Sequence, residues 1–375
     1  MTVAKLRFYR VPTKVSWSAS GTISQELSPI PHSIAGLLIK CNTNITTTTP
    51  TNYNDYWDRM IATLSLTGQV LGQNKTFFSF TNMRLPYHLM RRELGRYCPR
   101  RPTAVAVSIT SGLYQFATLL HFGCNPFKPN GDFNWMDMSA GIPPTQKGQL
   151  TLGGTWGAAA CFGSANVTLN SGALEIYAYG VQSEPGDAIA DYTPQAFPVW
   201  SMTSPTPTAT SSTLGTPYSV TSGNHLRTIA IMLTRGDGYP RDNQTLRDSR
   251  LYNQLENREI ISFGGAGNAG DASGGDYAIG EQFSQLGVAV PTDNSATLGV
   301  PSVAMAQGSD LGLVFFRLVD YSNRVHPLYG ADLRRINTGD LRLDWGVNNA
   351  TTIALDLLYQ RYELNVEHPA NAGVV

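Results

Sequence analysis

The chain has 375 residues, of which 14% are charged, and its 27 Lys and Arg residues balance its 27 Asp and Glu residues. An average soluble protein is about 25% charged, and a protein that coats nucleic acid carries a basic excess, so we expect no specific nucleic-acid partner. A neutral surface that repels its own copies weakly suits dense self-association.

Cysteine usage and the N-terminal sequence limit the cofactors and the compartment. The cysteines are separated by 57, 26 and 37 residues without a C-x-x-C pair, so we expect buried thiols and neither a zinc site nor a disulfide framework. They are Cys41, Cys98, Cys124 and Cys161. The first 14 residues lack the apolar core of a secretory signal. We therefore expect a protein that works in the cytosol or in a particle assembled there.

Short runs of strand-forming residues dominate the chain and predict an all-β fold. Each run is bounded by Gly, Asn or Pro, or alternates apolar and polar residues. The predicted strands are Ser33–Thr46, Ile61–Leu66, Thr76–Phe80, Ala104–Ile109, Leu174–Val181 and Leu311–Leu318.

Two short segments show helical spacing instead. Pro86–Arg96 begins with Pro, which fits a first helical turn, and then carries three apolar residues at helical spacing. Asp248–Ile260 begins with an Asp that would cap a helix and places Leu251, Leu255 and Arg258 on one helical face. We expect both segments to form short helices inserted in loops of the β fold.

The same order of features occurs twice in the chain. Lys147–Gly157 and Thr338–Gly346 each contain Gly, alternating Leu residues and a Trp-Gly pair, and a closing amphipathic strand follows each. Earlier in each half, Pro31–Lys40 and Asn224–Thr234 run from a His into an apolar strand. Chance similarity among β-hairpins is the alternative, but several matched pairs in the same order favour a duplication.

A duplicated β domain of this size predicts two tandem eight-stranded jelly rolls, an architecture common in capsid and lectin domains. The predicted domains are residues 1–185 for the first roll and residues 224–375 for the second. Residues 186–223, rich in Ser, Thr and Pro, would form a linker or loop, and Gly264–Gly275 a flexible surface loop.

Four segments carry a family resemblance: Ile34–Thr46, Leu226–Gly236, Leu251–Asn257 and Gly339–Ala372. They resemble the double jelly-roll major capsid proteins of tailless, membrane-containing (tectivirus-like) bacteriophages, the lineage of the adenovirus hexon. The resemblance implies homotrimers whose six barrels form pseudo-hexagonal capsomers of an icosahedral virion, assembled in the host cytoplasm around an internal membrane. It also implies minor capsid and vertex proteins as partners.

Two basic clusters are candidate contact sites on this interpretation. Lys5, Arg7, Arg10 and Lys14 give the first 14 residues a charge of +4 without an acid. They are candidates for an inner face that meets anionic lipid, or for an edge strand that uses charge to prevent mispairing. The second cluster is a candidate subunit interface or a solvated helix face. It comprises Arg84, Arg91, Arg92 and Arg96, followed by Arg100 and Arg101.

Catalytic motifs are missing from the sequence. Neither G-x-S-x-G nor H-E-x-x-H occurs, and no two of the six histidines lie within four residues of each other. We therefore expect a structural protein without catalytic site, cofactor or metal. The alternative function is a carbohydrate-binding or receptor-binding β-sandwich, in which Trp135, Trp156 and Trp200 would stack on sugars, although such residues are more often core.

Overall fold

The computed structural model describes most of the first half of the chain and shorter ranges of the second half. The described residues are 5–48, 59–70, 72–99, 111–161, 167–183, 193–205, 218–220, 223–235, 246–263, 313–318, 325–326, 330–334, 337, 339–347 and 353–371. The predicted strand Ala104–Ile109 and the predicted loop Gly264–Gly275 lie outside these residues. The chain forms two compact units, Met1–Ser201 with Arg361–Val375, and Met202–Gln360.

Two antiparallel sheets are built from the first strands of the chain. These strands are β1 (Lys5–Arg10), β2 (Val15–Ser16), β3 (Thr22–Glu26), β4 (Ser33–Thr47), β5 (Ile61–Val70), β6 (Gln73–Phe80), β7 (Gly112–His121), β8 (Leu150–Trp156) and β9 (Val167–Gln182). One sheet has the order β1-β9-β4-β7, and the short strand β2 also pairs with β9. The other contains the order β6-β5-β8-β3.

Alternation along β4 shows why these strands form and which face is buried. Leu37, Ile39 and Cys41 are at most 2% exposed, whereas Lys40 and Asn42 between and beside them are only half-buried. Successive side chains of a strand point to opposite faces. One face of the sheet therefore supplies core, and the other is available for polar contacts.

The second half of the chain repeats this arrangement. Its strands are β10 (Ala196–Pro198), β11 (Trp200–Thr203), β12 (Tyr218–Ser219), β13 (His225–Arg235), β14 (Leu246–Asn253), β15 (Arg258–Phe263), β16 (Leu313–Arg317), β17 (Val325–His326), β18 (Gly330–Asp332), β19 (Leu341–Val347) and β20 (Ile353–Leu364). One sheet has the order β12-β19-β14-β15. In the other, β20 lies between β11 and β13, β10 pairs with β20, and β16 pairs with β13.

Both halves therefore have the strand order of a jelly roll. Leaving out the short accessory strands and counting β10 with β11, the order in each half is first-eighth-third-sixth in one sheet and second-seventh-fourth-fifth in the other. The predicted repeat is confirmed, since β8 and β19 take the seventh place and β9 and β20 the eighth. In the core of the second half, Leu226, Ile229 and Ile231 of β13 pack with Leu355 and Leu357 of β20.

The helix predicted at Pro86–Arg96 is confirmed as α1 (Arg84–Leu94), in the loop between β6 and β7. The Asn82 side-chain oxygen accepts hydrogen bonds from the backbone N–H groups of Arg84 and Leu85, at 3.0 and 3.3 Å. The helix ends at Gly95, whose φ of 54° leaves the helical region. Short 3-10 helices cover Gly95–Tyr97 and Pro369–Asn371.

The helix predicted at Asp248–Ile260 is wrong, because this segment is the hairpin formed by β14 and β15. Leu251 is fully buried, but Leu255, on the same predicted helical face, is 75% exposed in the turn. Two asparagines favour the turn. Asn253 accepts the N–H of Glu256 through its side chain, and Asn257 adopts a positive φ of 47°.

The segment after β20 folds back onto the residues before β10. The Asn365 side chain donates to the Pro194 carbonyl at 2.9 Å, and the Asn371 side chain donates to the Gln195 carbonyl at 2.7 Å. The Asn365 backbone N–H also donates to Gln195. Strands β10, β11 and β12 lie in the stretch predicted as a linker, and the domain boundaries at residues 185 and 224 stay predictions.

Because Gly36 of β4 has no side chain, the buried Tyr179 side chain can occupy the space beside its Cα. Gly36→Ala is expected to lower the free energy of unfolding by about 1–3 kcal/mol, because an added Cβ would overlap the Tyr179 hydroxyl and the Leu120 carbonyl oxygen. Gly153→Ala in β8 is the control, since its Cβ would meet only the Ser65 hydroxyl at 3.5 Å. Urea denaturation measures both variants, and equal losses would contradict this explanation.

Candidate contact surfaces

The predicted basic segment lies on the edge strand of the first roll. Lys5, Arg7 and Arg10 are exposed on β1, which ends the order β1-β9-β4-β7. Lys14 follows the strand and is also exposed. At about 3.3 Å per residue, β1 spans roughly 17–20 Å. The four charges are therefore spread along the edge of the sheet instead of being gathered at one end.

Glu175 of β9 forms ion pairs with Arg10 and Lys14, the two basic residues farthest from the start of β1. Its carboxylate lies 2.7 Å from the Lys14 ammonium, 3.5 Å from the Arg10 guanidinium and 3.8 Å from the Lys40 ammonium. The Asn42 amide and the Tyr177 hydroxyl each donate to it at 3.1 Å. Three cations around one carboxylate leave a positive excess, but Arg10 and Lys14 both have a partner within the chain.

The electrostatics of this network favour an ionised carboxylate. Glu175 is only 5% exposed. Its pKa is lowered from 4.5 to about 2, chiefly by the hydrogen bond from Lys14, against an opposing effect of burial, with further lowering from Tyr177 and from the Lys40 charge. The network thus fastens the segment after β1 to the outer face of the sheet.

Lys5 and Arg7 lie at the other end of β1. The Arg7 side chain donates to the Gln182 side chain at 2.5 Å, and Lys5 is paired in register with Gln182 at the end of β9. The same end of the sheet contains the start of β4 at Ser33 and the end of β7 at His121. The structure therefore divides the basic segment into an end pair and a Glu175-bound pair.

The arginines of the predicted cluster differ in how far they are buried. Arg84 is only 6% exposed, Arg91 and Arg92 are half-buried, and Arg96 is exposed. The Arg96 guanidinium lies 4.9 Å from the centre of the Tyr97 ring and donates to its hydroxyl at 2.9 Å. Arg100 and Arg101 lie outside the described residues. As part of a subunit interface the cluster stays a prediction, and Arg96 is the most exposed of its four described arginines.

An aromatic cluster that sequence reasoning missed covers the outer face of β9. The Trp135 ring lies 5.7 Å from Phe8, 4.5 Å from Phe133 and 5.2 Å from Tyr179. Phe8, in the middle of the basic strand, is 61% exposed. Phe127, six residues before Phe133 in the sequence, is 42% exposed. Exposed aromatic residues beside arginines are typical of protein interfaces.

Beneath the aromatic cluster lies a buried polar network, also missed. The His121 ring Nδ1 is 2.8 Å from the Tyr179 hydroxyl, and its Nε2 is 3.7 Å from the Asp137 carboxylate. Asp137 accepts the N–H groups of Asn125 and Ser139 at 2.6 and 3.0 Å. Burial raises the pKa of Asp137, but His121 and Ser139 lower it more. The network holds the loop after β7 against the sheet.

These contacts bear on the sugar-binding alternative. Trp156 and Trp200 are each 1% exposed, so neither can stack on a ligand. Trp135 is half-buried within the aromatic cluster. Asp137, near Trp135 in sequence, is buried and bonded to backbone N–H groups. None of these observations favours the carbohydrate-binding interpretation.

The described residues contain no group of three or more His, Cys, Asp or Glu side chains placed to hold a metal ion. None of the helices in the described part of the chain is long and apolar enough to cross a membrane.

Comparison with known proteins identifies the fold. The chain is similar to the crystal structure of the major capsid protein of STIV, with 13% identity, a TM-score of 0.66, and 99% of this chain and all of that chain covered. A second structure, of Sulfolobus Turreted Icosahedral Virus, gives 14% identity and a TM-score of 0.63, covering 99% and 94% of the two chains. The fold is the double jelly roll.

The capsid of PBCV-1 virus shows the same fold at lower similarity. Its quasi-atomic model gives 12% identity and a TM-score of 0.54, with 96% of this chain and 94% of that chain covered. No family model matches the sequence, and no curated protein matches it. The likeness therefore lies in the double jelly roll itself, which extends over nearly the whole chain.

The Glu175 network makes a pH-dependent contribution to the stability of the first roll. A carboxyl whose folded pKa is depressed stabilises the fold above its unfolded pKa and loses this effect as pH falls through the folded value. Glu175→Gln is therefore expected to destabilise the protein at pH 7, and the difference from wild type should shrink between about pH 4.5 and 2.

Thermal denaturation across this pH range measures the effect. Glu367→Gln is the control, because Glu367 is exposed at the end of the chain and only its backbone N–H takes part in a described hydrogen bond. A Glu175→Gln difference that stays constant from pH 7 to pH 2 would contradict the role assigned to this carboxylate.

Proposed function

We propose that this chain is the major capsid protein of an icosahedral virion, a structural subunit of the capsid shell. The observation that carries the proposal is the jelly-roll strand order, present twice and aligned over 99% of the chain with a major capsid protein. Three such chains offer six similar sides, which suits a homotrimeric, pseudo-hexagonal capsomer. Minor capsid and vertex proteins stay predicted partners.

The proposed role is structural and not enzymatic. Three buried titratable groups of the first roll, His121, Asp137 and Tyr179, are 1%, 5% and 1% exposed and bond to one another or to backbone. A catalytic group must reach its substrate. These side chains instead fasten a loop to a sheet, as expected of a shell protein.

Self-assembly tests the proposal directly. The purified chain is expected to sediment as a trimer of roughly 120 kDa, three times its mass of 40.7 kDa, and to form shells or hexagonal sheets under assembly conditions, visible by negative-stain microscopy. A chain that remains a monomer at high concentration and forms no lattice would contradict the proposed function.

We also propose that one end of the first roll contacts anionic lipid of an internal membrane. Lys5 and Arg7 support this proposal, because both are exposed at the same end of the basic strand β1. Basic residues near an anionic surface contribute about 1 kcal/mol each. Arg10 and Lys14 contribute less on this view, since the Glu175 carboxylate offsets their charge.

Charge-neutralising variants test the lipid contact while keeping β1 intact. Replacing Lys5 and Arg7 with Gln is expected to weaken binding to phosphatidylserine vesicles by about 2 kcal/mol, or roughly thirtyfold. Replacing Arg10 and Lys14 with Gln removes the same charge and should cost clearly less. Vesicle flotation at constant ionic strength measures both.

The two interpretations of the basic strand predict different results. If the charges serve only to prevent mispairing at the sheet edge, the Lys5 and Arg7 variant will aggregate while its vesicle binding stays unchanged. Unchanged vesicle binding therefore removes the lipid proposal.

A further inference from the structure

The fifth strand of the first roll, β6, does not end its sheet. Trp200 and Ser201 of β11 pair with it in parallel, opposite Phe78 and Ser79. Counted together with β10, strand β11 is the first strand of the second roll. Trp200, Ser201, Phe78 and Ser79 all lie in the compact unit formed by Met1–Ser201 and Arg361–Val375. A first strand thus pairs alongside a fifth strand within the chain.

The other fifth strand and the other first strand each lie at the edge of a sheet. β15, the fifth strand of the second roll, ends the order β12-β19-β14-β15. β1, the first strand of the first roll, ends the order β1-β9-β4-β7. Among the described strands, β15 pairs only with β14 and β1 only with β9. Within the described part of each copy, one fifth strand and one first strand are therefore open on one edge.

The two fifth strands are equivalent residue by residue. In both hairpins the register shifts after a leucine, Leu66 in β5 and Leu251 in β14. Leu66 pairs with Phe78, and Leu251 pairs with Ile261. Ile261 therefore has the backbone position of Phe78, where β11 pairs in the first roll. A bulge at the same place gives both strands the same local twist.

We propose that β1 of one copy pairs in parallel with β15 of a second copy, as β11 pairs with β6 within one chain. This pairing presupposes the proposed trimer, in which the first roll of the next copy follows each second roll around the ring. The contact joins two different surfaces, and such contacts close into a ring when the rotation between copies allows it.

Charge favours this pairing over pairing between identical strands. β1 exposes Lys5, Arg7 and Arg10, and like charges on facing strands repel. β15 begins with Arg258 and Glu259, both exposed. The Arg258 guanidinium lies 3.4 Å from the Glu256 carboxylate in the turn, which offsets its positive charge. The negative charge of Glu259 is then available to attract a basic strand.

The backbone of β1 has donors available on its open edge. The Val11 N–H donates to the Ile176 carbonyl of β9 at 3.0 Å. Because N–H groups alternate in direction along a strand, those of Phe8 and Arg10 point away from β9. Proline at Phe8 removes one outward donor without removing a bond to β9, which an edge strand tolerates.

Comparison of Phe8→Pro with Phe8→Ala isolates this donor. Both variants lose the phenyl ring, but only Phe8→Pro loses the N–H. We expect Phe8→Pro trimers to dissociate at a concentration about tenfold or more above that of Phe8→Ala trimers, measured by analytical ultracentrifugation, with circular dichroism to confirm folding. Equal dissociation of two folded variants would overturn the proposed pairing.

Disulfide trapping provides a test that does not depend on proline. One protein carries Phe8→Cys or Arg10→Cys, a second carries Ile261→Cys or Ser262→Cys, and both carry Cys161→Ser. Neighbouring strands of a sheet lie about 4.7–4.9 Å apart, close to the separation of the Cβ atoms in a disulfide. Ile261 and Ser262 are adjacent and cover both faces of β15, whereas Phe8 and Arg10 lie on one face of β1 and cover a shift of the register by two residues.

The four mixtures are reassembled and oxidised beside each protein alone. Cross-linked dimers that need both proteins are the expected result. Trimers without such cross-links, or cross-links in one protein alone, would show that another surface joins the copies, and the capsid proposal would remain. A wild-type chain that forms no trimer would instead refute the proposed function and this pairing with it.

Discussion

Backbone pairing between the first and eighth strands determines the architecture of this protein. β1 pairs with β9 over sequence separations above 160 residues, and β10 pairs with β20 in the same way. These pairings close each roll by joining its ends, and they leave the outer edge of each first strand facing away from its own sheet. In the second roll β6 pairs with that edge, whereas in the first roll the edge is open among the described strands. The proposed contact between copies follows from this asymmetry.

Much of the fold was predictable because burial imposes a period of two on each strand. The runs at Ser33–Thr46 and Leu174–Val181 became strands with small changes of bounds, and the duplicated Trp-Gly segments became seventh strands. The hairpin at β14 and β15 was missed because Leu251 and Leu255 have helical spacing, although one is core and the other lies in the turn. Asparagines at both ends of that turn were the better signal.

The contact surfaces were less predictable, because their partners come together only through long-range pairing. A lone Glu175 within an apolar strand indicates an outward-facing carboxylate, but its partners Lys14 and Asn42 lie more than 130 residues away in sequence. The predicted arginine cluster is continuous in sequence, but in the structure its arginines differ in exposure, from the buried Arg84 to the exposed Arg96. Sequence therefore identified the charged groups, and the sheet register decided which of them are neutralised.

The return of the last segment onto Pro194 and Gln195 has a consequence for synthesis on the ribosome. The first roll contains all of its strands once β9 has emerged, so it can close while the rest of the chain is being made. The second roll lacks its eighth strand until β20 appears, and the asparagines that fix the residues before β10 come later still. Until then its apolar strands have no complete sheet to join. Nascent chains thus pass through a stage with one finished and one open roll, and the exposed apolar strands of the open roll make this the stage at which incomplete subunits are most prone to aggregate.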